Sequence, residues 1–551
     1  MDEKQKLAFQ IVTAAFVLTY YRDATSFDFF PPRCHQRSSS QIRRDFIQEK
    51  SRLVSLARLR QNQPLRMLLH GPKGSGKSHV VHQVLQYARD YTSRLGVSFD
   101  RRTIVVTAMS GVCAASIGGE TLHSAAALCR KVRIDDCTWA NARLLIIDEV
   151  SSMSTKDIDK LDSRLRTLTR NNYSTYGGLN LLFCGDFMQL EPVGGRPLYS
   201  RRFEDTFWSS SINSYIELEG LCRFRDDREW GEILGRFRQN IHTPDDIAKV
   251  NERVIRRGDQ GKESVTADSS YCVYSNADRS AINNGIFRKA LQAHRKGNPK
   301  CGAKNILVVK ASDIRVNRGR KHCPMTPEQE LYFFENCGEN RVRTSWTRNG
   351  QGHFVDPLLK LYNGIPLMLS RGEDVCAGHA TGASVALQRI VLKKNATIGE
   401  VIIDGVKCPC VEAEDVIHLV CRSELCGGKI LTLQPTRMYC KIQIPVPVEH
   451  LAANRRMILS ANLTQFPVVC SNAATGHRIQ GLAPQKLIIC AWSRVRNWNY
   501  VALSRVATRA RLLLLEPLPN DVDFSISPDL VSMLHTLRAQ APRRLDWNIQ
   551  D

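Results

Sequence analysis

The sequence predicts an α/β fold in which parallel strands alternate with helices. Four short apolar runs have the length and composition of buried strands: residues 65–70, 103–106, 144–147 and 179–184. The first run precedes a glycine-rich stretch and a helical pattern over residues 79–91, and the last two end in Asp148-Glu149 and Gly185-Asp186. Strands with polar residues at their carboxyl ends are typical of a parallel sheet that binds ligands along one edge.

The second half of the chain predicts another α/β domain with an insertion. A helix that carries Trp230 and Phe237 on one face and a strand at residues 271–274 repeat the pattern less clearly. Residues 296–356 are rich in charge, Gly and Asn and predict long connections with little core, whereas residues 385–464 predict a small β insert. We therefore expect a first domain over residues 1–205 with a small wedge at about 124–143, a second domain over residues 206–384, the β insert over residues 385–464 and the completion of the second domain over residues 465–551.

Composition and charge narrow the class of protein. The 551 residues are 43% apolar and 24% charged, which is typical of a globular chain of several domains, and no apolar run approaches the ~20 residues of a membrane span. The formal net charge of +23 suits a polyanion such as nucleic acid, although ribosomal or membrane-surface contacts also fit the charge alone. The start of the chain lacks a secretory signal pattern, and the 18 cysteines lie mostly in apolar stretches, which indicates reduced thiols in an intracellular protein.

Residues 71–78 form the motif that carries the strongest chemical signal. They read GPKGSGKS and satisfy the pattern G-x-x-x-x-G-K-[ST] between a strand and a helix, where backbone N–H groups and the helix start bind phosphate. Lys77 is expected to reach the β- and γ-phosphates, and the Ser78 hydroxyl is expected to hold Mg²⁺. The predicted nucleotide-binding residues here are Gly71, Pro72, Lys73, Gly74, Ser75, Gly76, Lys77, Ser78 and the adjacent His79.

The pair Asp148-Glu149 supplies the carboxylates that such a loop needs. A carboxylate at a strand end can hold the magnesium shell, and a second one can orient and deprotonate the attacking water. We therefore predict Asp148 as a metal-side residue and Glu149 as the general base.

Eight motifs in order resemble the petite-integration-frequency (Pif) helicases, superfamily-one enzymes related to RecD. The matching segments are residues 2–12, 107–124, 148–153, 176–193, 218–224, 274–283, 475–481 and 500–508. Because the first of these begins at residue 2, we expect no regulatory region before it. The resemblance implies two RecA-like P-loop NTPase domains, an SH3-like β insert in the second, and ATP with Mg²⁺ in the cleft between them.

The resemblance also implies roles for individual residues. Gln5 would contact adenine, Gln189 would sense the γ-phosphate, and Arg223 and Arg505 would be arginine fingers, which are worth ~10³–10⁵ in rate. Further positions follow from the same motifs: Gln480 and Gly481 for the nucleotide, and Thr107, His123, Asn276 and His477 for DNA.

The activity implied by the resemblance is ATP-dependent unwinding of duplex DNA by a monomer that moves 5′ to 3′ on single-stranded DNA. Single-stranded and forked DNA would be the partners. DNA repair, recombination or genome maintenance would be the process, in the nucleus or another DNA-containing compartment, with no membrane contact.

Departures from the family pattern keep two other functions open. Arg478-Ile479 replaces the usual Lys-Ser, and the wedge is short, so the chain could be a DNA-stimulated ATPase or translocase that does not separate strands. A degenerate mobile-element helicase that only binds nucleic acid is the other alternative, and the intact Lys77 and Glu149 speak against it. In the wedge, Trp139 could stack on a base, but a core tryptophan is the favoured interpretation.

A cysteine cluster in the predicted β insert has the residue types of a zinc site. Cys408, Cys410, Cys421 and Cys426, with His418 between them, match zinc-ligand spacing only in part. We interpret them as ordinary thiols on strands.

Overall fold

The computed structural model describes residues 1–23, 63–128, 139, 141–200, 208, 211–220, 222–256, 269–296, 306–318, 321–336, 342–343, 354–371, 380–423, 428–445, 456–480 and 484–539. Over these ranges no helix combines the length and the hydropathy that a membrane crossing requires.

Helices are spread along the whole described chain. In order they are α1 (Glu3–Asp23), α2 (Lys77–Leu95), α3 (Gly111–Ser116), α4 (Leu122–Ala125), α5 (Thr155–Leu168), α6 (Arg228–Gln239), α7 (Pro244–Asn251), α8 (Asn276–Arg295), α9 (Pro327–Asn336), α10 (Gly476–Ile479), α11 (Trp498–Leu503) and α12 (Pro528–Ala539).

Strands occur along the whole described chain, and the longest of them lie between residues 384 and 465. The first group is β1 (Arg66–His70), β2 (Ile104–Ala108), β3 (Glu120–Thr121), β4 (Leu144–Asp148), β5 (Asn180–Gly185), β6 (Ser214–Glu217), β7 (Ser269–Val273), β8 (Leu307–Lys310), β9 (Ser312–Arg318), β10 (Lys321–Pro324), β11 (Val342–Arg343), β12 (Phe354–Val355), β13 (Leu358–Leu361) and β14 (Pro366–Leu369). The second group is β15 (Ser384–Leu392), β16 (Gly399–Ile403), β17 (Val406–Glu412), β18 (Val416–Ser423), β19 (Ile430–Leu433), β20 (Thr436–Pro445), β21 (Arg456–Gln465), β22 (Val468–Cys470), β23 (Ala473–Thr475), β24 (Lys486–Ile489) and β25 (Leu512–Leu514).

The chain divides into two compact units. Unit 1 comprises Met1–Asp246, Arg494–Thr508 and Asp521–Asp551, and unit 2 comprises Ile247–Ser493 and Arg509–Asn520. The segment that contains Arg505 therefore belongs to the same unit as the glycine loop.

Unit 1 is built on a six-stranded parallel sheet. The strand order is β3-β2-β4-β5-β1-β6, and every neighbouring pair is parallel. The four strands predicted from apolar runs are confirmed as β1, β2, β4 and β5. Their residues are almost wholly buried, as expected of a sheet covered on both faces, and α1 and α2 pack together in the core on one side. Because all six strands run in one direction, the ends of β1, β4 and β5 place their polar residues along one edge.

Unit 2 contains a second parallel sheet and a group of antiparallel sheets. The parallel sheet has the order β23-β7-β24-β25, which confirms the predicted return of α/β structure after residue 465. The antiparallel pairings include β15 with β18, β16 with β17 and β20 with β21, which confirms the strands predicted over residues 385–464.

The prediction of long connections over residues 296–356 was wrong. Strands β8 and β9 and helix α9 lie there, and Val308, Val316 and Phe333 are buried in the core of unit 2. Strand β8 pairs with β13 and with the later β17, and β9 pairs with β10 and with the later β21, so these short runs belong to sheets that include strands much later in the chain. The high content of charged residues and glycine masked the strand pattern of these runs. Two of the strands that pair with them, β17 and β21, lie about a hundred or more residues later in the sequence.

Candidate nucleotide-binding and catalytic site

The glycine loop, residues 71–78, connects the end of β1 to the start of α2. Gly74 and Gly76 have φ values of 88° and 92°, in the left-handed region that favours glycine. A Cβ atom at Gly74 would lie 2.3 Å from the Cβ of Arg223, and one at Gly76 would lie 2.2 Å from Nε2 of Gln5. The loop therefore needs glycine both for its backbone conformation and for close contact with two neighbouring segments.

Lys77 lies folded over the loop. Its Nζ donates to the carbonyl oxygens of Gly71 (2.6 Å) and Pro72 (3.0 Å). Ser78 and His79 are exposed in the first turn of α2, where backbone N–H groups have no partner within the helix. A charged amine beside a helix start is the arrangement that binds a phosphate.

Asp148 lies at the end of β4, and Glu149 follows it. Burial and the neighbouring Glu149 raise the pKa of Asp148 to about 6, while Lys77 acts in the opposite direction. Glu149 has a φ of 55°, which is uncommon for a residue with a side chain, and its buried Oε2 has no hydrogen-bond partner among the described residues. An unsatisfied buried carboxylate oxygen is free to accept a hydrogen bond from a water molecule.

Gln189 lies in a turn that begins at Asp186, just after β5. The side chain is 3% exposed, and its Oε1 has no partner among the described residues. Its backbone N–H donates to the carbonyl oxygen of Asp186 (3.0 Å), and its Nε2 lies 3.5 Å from Asp186 Oδ2. The Asp186 carboxylate therefore orients the Gln189 side chain, and Oε1 of Gln189 stays available to accept a hydrogen bond.

Both predicted arginine fingers lie beside the glycine loop in unit 1. Arg505 is fully buried, with Nε donating to the Val501 carbonyl oxygen (2.8 Å) and Nη2 to the Ser504 hydroxyl (2.9 Å). Arg223 Nη2 donates to the Arg505 carbonyl oxygen. Arg223 Nε and Arg505 Nη1 are buried without a partner among the described residues.

A third cation, Lys73, completes this cluster. Burial and the nearby Arg505 and Arg223 lower its pKa well below the usual value for lysine. Burial and Arg505 lower the pKa of Arg223 to about 10. Burial and neighbouring positive charge both disfavour the charged forms of Lys73 and Arg223, so an anion bound beside them would be strongly stabilised.

Gln5 contacts the glycine loop from α1. Its Nε2 donates to the carbonyl oxygen of Ser75 (2.9 Å), and its Oε1 accepts from the backbone N–H of Asp2 (3.2 Å). Both ends of the carboxamide are therefore used within the protein, and Gln5 holds the loop in place. Its predicted contact with adenine stays a prediction.

The residues predicted to contact DNA are in different environments. Thr107 is fully buried, and its hydroxyl donates to the Ile146 carbonyl oxygen (2.7 Å), so this placement does not support direct contact with DNA. His123 is partly exposed on α4, and Asn276 is exposed at the first turn of α8. The side chain of His477 lies outside the described part of the chain.

The fifth motif lies in unit 2. Gln480 has a buried Nε2 without a partner among the described residues, and Gly481 lies outside them. Arg478 Nη1 lies 3.2 Å from the Met368 sulfur, and burial lowers its pKa, while Ile479 is buried. The two residues that depart from the family pattern thus contribute to packing.

The wedge and the cysteine cluster are described only in part. Trp139 is 1% exposed, which confirms its interpretation as a core residue, whereas residues 129–138 and 140 lie outside the described residues. Cys408 and Cys421 are buried on β17 and β18, and Cys426 is not described.

Magnesium is the metal implied by the loop, and the residues present fit it. Ser78 offers a hydroxyl and Asp148 a carboxylate, which are hard oxygen ligands of the type that Mg²⁺ prefers. Among the described residues no group of three or more His, Cys, Asp or Glu side chains could hold a metal ion.

Sequence analysis missed a network beside the loop. His70 and Asp186 are fully buried in contact with Arg238 and Glu217. The only sign of this network in the sequence is a histidine as the last residue of an otherwise apolar strand. Such a histidine is more often a core residue whose hydrogen bonds are satisfied.

Comparison with known proteins relates part of the chain to one family. Residues 48–229 match the PIF1-like helicase family. The ATP-dependent DNA helicase PIF1 of Saccharomyces cerevisiae is 32% identical over 183 residues, which are 30% of this chain and 20% of that protein. The protein of the same name from Danio rerio is 30% identical over 326 residues, which are 57% of this chain and 42% of that protein. The chain thus matches less than half the length of these curated relatives.

Solved structures extend the similarity in fold. Bacteroides Pif1 bound to single-stranded DNA has a TM-score of 0.57 at 19% identity and covers 89% of this chain and 98% of its own. Pif1 from Candida albicans has a TM-score of 0.53 at 18% identity over 88% of this chain and 98% of its own. The predicted α/β fold with RecA-like P-loop domains is confirmed, and the SH3-like character of the insert stays a prediction. Residues 48–229 are thus similar to PIF1-like helicases, in agreement with the resemblance of the motifs.

Proposed function

We propose that this protein is an ATP-dependent DNA helicase that moves 5′ to 3′ on single-stranded DNA and unwinds duplex DNA in repair, recombination or genome maintenance. The observation that carries the proposal is that Arg223 and Arg505 join Lys77 at one glycine loop within unit 1, where Glu149 interacts electrostatically with Lys73 of the loop. Relatives named ATP-dependent DNA helicases, and a solved Pif1 complex with ADP-AlF3 and single-stranded DNA, support it.

ATP hydrolysis would use these side chains in distinct roles. Lys77 turns its amine from two loop carbonyls to the β- and γ-phosphates. Glu149 accepts a proton from the attacking water through its unpartnered oxygen, and Gln189 holds the γ-phosphate. Arg223, Arg505 and Lys73 stabilise the negative charge that spreads over the transferring phosphoryl group.

Magnesium, when bound through Ser78 and Asp148, would neutralise charge on the β- and γ-phosphates. Adenine would be bound next to Gln5, with Gln480 and Gly481 of the fifth motif as further nucleotide contacts.

DNA would bind through phosphate contacts that do not depend on base sequence. The net charge of +23 favours such binding, with His123, Asn276 and His477 as proposed contacts. Single-stranded and forked DNA are the proposed partners of a monomer. A DNA-containing compartment such as the nucleus is the proposed location. The proposed organisation keeps an SH3-like insert over residues 385–464 within the second domain.

An ATPase assay with the Lys77→Ala variant tests the proposal. The substitution removes the amine that reaches the phosphates, so we expect ATP hydrolysis to fall by roughly 10²-fold or more while binding of single-stranded DNA is kept. The matched control is Lys6→Ala, an exposed lysine in α1 outside the loop, which should hydrolyse ATP at the parental rate. Equal turnover of the Lys77→Ala variant and the parent would refute the assignment of the loop.

The placement of Arg478 favours a second candidate function. Arg478 packs against Met368 and Ile479 is buried, so both residues that replace the usual Lys-Ser are used in packing; DNA-stimulated ATP hydrolysis without strand separation is therefore the second candidate. A forked duplex with a 5′ single-stranded tail separates the two functions. Release of the displaced strand supports the helicase, and DNA-stimulated ATP turnover without release supports a translocase.

A further inference from the structure

His70 lies where two segments of the proposed site meet. It is the last residue of β1, directly before Gly71, and its side chain has no exposed surface. Its ring stacks with those of Phe187 and Tyr215, with centroid distances of 6.0 and 6.3 Å. A fully buried imidazole must have partners for both ring nitrogens, and here the partners define its protonation state.

The hydrogen bonds assign the tautomer of His70. The backbone N–H of Phe187 donates to Nε2 (3.1 Å), so Nε2 is an acceptor and carries no proton. The proton is therefore on Nδ1, which lies 3.5 Å from Glu217 Oε1 and 3.4 Å from the Tyr215 hydroxyl. This neutral form satisfies both sides of the ring.

The two carboxylates next to His70, those of Asp186 and Glu217, are each paired with an arginine. Arg238 Nη2 donates to Asp186 Oδ1 (3.0 Å), and Arg538 donates to Glu217 through Nε (2.7 Å) and Nη2 (3.0 Å). Because Asp186 and Glu217 are each paired with an arginine, they raise the pKa of His70 less than burial lowers it. The pKa of His70 therefore lies below its usual value. The histidine stays neutral and keeps its acceptor nitrogen.

The acceptor nitrogen holds the turn that carries Gln189. Residues 186–189 form this turn, in which Met188 N–H donates to Asp186 Oδ1 (3.1 Å) and Gln189 N–H to the Asp186 carbonyl oxygen (3.0 Å). His70 binds the middle of the turn at Phe187, and the next residue, Gly71, donates its N–H to the Gly185 carbonyl oxygen (3.2 Å). The glycine loop and the Gln189 turn are thus joined at two adjacent points.

We propose that His70 is a positioning residue that fixes the Gln189 turn against the glycine loop. It does not contact the nucleotide; it acts through Phe187 and Asp186 on the orientation of Gln189. The role rests on the proposed ATP hydrolysis. It requires the acceptor at Nε2 rather than the bulk of the ring.

A double-mutant cycle tests the role. His70→Leu keeps an apolar side chain but removes the acceptor, and we expect kcat to fall about tenfold with a KM for ATP within about twofold of the parent. In the background of Gln189→Ala, His70→Leu should have no further effect on kcat, because both substitutions remove the same contribution. His70→Gln, which can accept at the position of Nε2, should keep at least about half of the parental kcat. Tyr215→Phe, which removes only the hydroxyl beside Nδ1, is the control and should match the parent.

The outcomes separate the two proposals. Parental kcat in the His70→Leu variant, or a full tenfold loss from it in the Gln189→Ala background, would overturn the positioning role while the proposed function stands. No hydrolysis by the unsubstituted protein would refute the proposed function and this role with it. If His70→Leu fails to fold, as judged by circular dichroism, His70→Asn replaces it. Its amide lies at the Nδ1 position, so it should show the loss while His70→Gln does not, and equal rates would overturn the role.

Discussion

Two features of Glu149 lower the stability of the folded protein. Its φ of 55° places a side-chain-bearing residue in the left-handed region, at a cost of about 1–3 kcal/mol. Its buried Oε2 has no partner among the described residues, which costs about 1–3 kcal/mol more. Such costs are typical of functional sites, where the fold holds a group ready for chemistry. The carboxylate is therefore the residue whose removal should affect hydrolysis most specifically.

The Glu149→Gln variant should bind ATP but hydrolyse it slowly. Glutamine has the same shape and cannot accept the proton, so we expect kcat to fall by roughly 10²-fold or more. Nucleotide affinity, measured with a fluorescent ATP analogue, should stay within about threefold because the substituted side chain makes no ground-state phosphate contact. Hydrolysis at the parental rate would rule out Glu149 as the base.

His70 should also make stability depend on pH. Burial holds its pKa below the reference value of 6.5, so below that pH the unfolded chain binds a proton that the folded chain does not. The free energy of unfolding should therefore decrease as pH falls from about 7.5 to about 5.5, by up to about 1.4 kcal/mol per pH unit from this group. Urea titrations at several pH values measure it. The His70→Gln variant should show a flatter profile, and identical profiles for the two proteins would contradict the buried neutral state.

At the scale of single elements, helix starts follow local rules that the sequence contains. Helix α5 begins after Ser154, whose hydroxyl donates to Asp157 Oδ2 (2.7 Å) and accepts from the Asp157 N–H (3.3 Å), and the Ser154 N–H donates back to the same carboxylate (3.2 Å). Helix α8 begins with the same capping box at Ser275 and Asp278. Helix α2 instead begins at the glycine loop without a side-chain cap. Its first N–H groups are therefore available to bind a phosphate.

Removal of the cap should destabilise unit 1 without changing the site directly. Ser154→Ala leaves an N–H without its partner at the start of α5, and we expect a loss of about 1 kcal/mol in the free energy of unfolding. The measurement is urea unfolding followed by circular dichroism. Ser163→Ala, an exposed position in the interior of the same helix, is the matched control and should change stability by less than about 0.5 kcal/mol. Equal losses in both variants would show that the cap contributes nothing particular.

At the scale of the whole molecule, the two units show different degrees of predictability. Unit 1 repeats strand, loop and helix in chain order, so four of its six parallel strands, β1, β2, β4 and β5, could be predicted from their own apolar runs. The short strands β3 and β6 were not predicted. In unit 2 the strands β8 and β9 pair with β17 and β21, about a hundred or more residues later in the chain. Pattern recognition along the sequence cannot supply such partners, and the strands were predicted as connections.

The sequence by itself determined the α/β class, the glycine loop and the order of the motifs. Each of these depends on a short contiguous segment, whose residues fix the local backbone conformation and supply the groups that bind phosphate. Only the tertiary structure decided that Arg223, Arg505 and Lys73 form one cation cluster within unit 1, and that Thr107 is buried. It also revealed how His70 joins the Gln189 turn to the glycine loop. Those properties depend on burial and on distances between residues far apart in the chain, which local sequence does not contain.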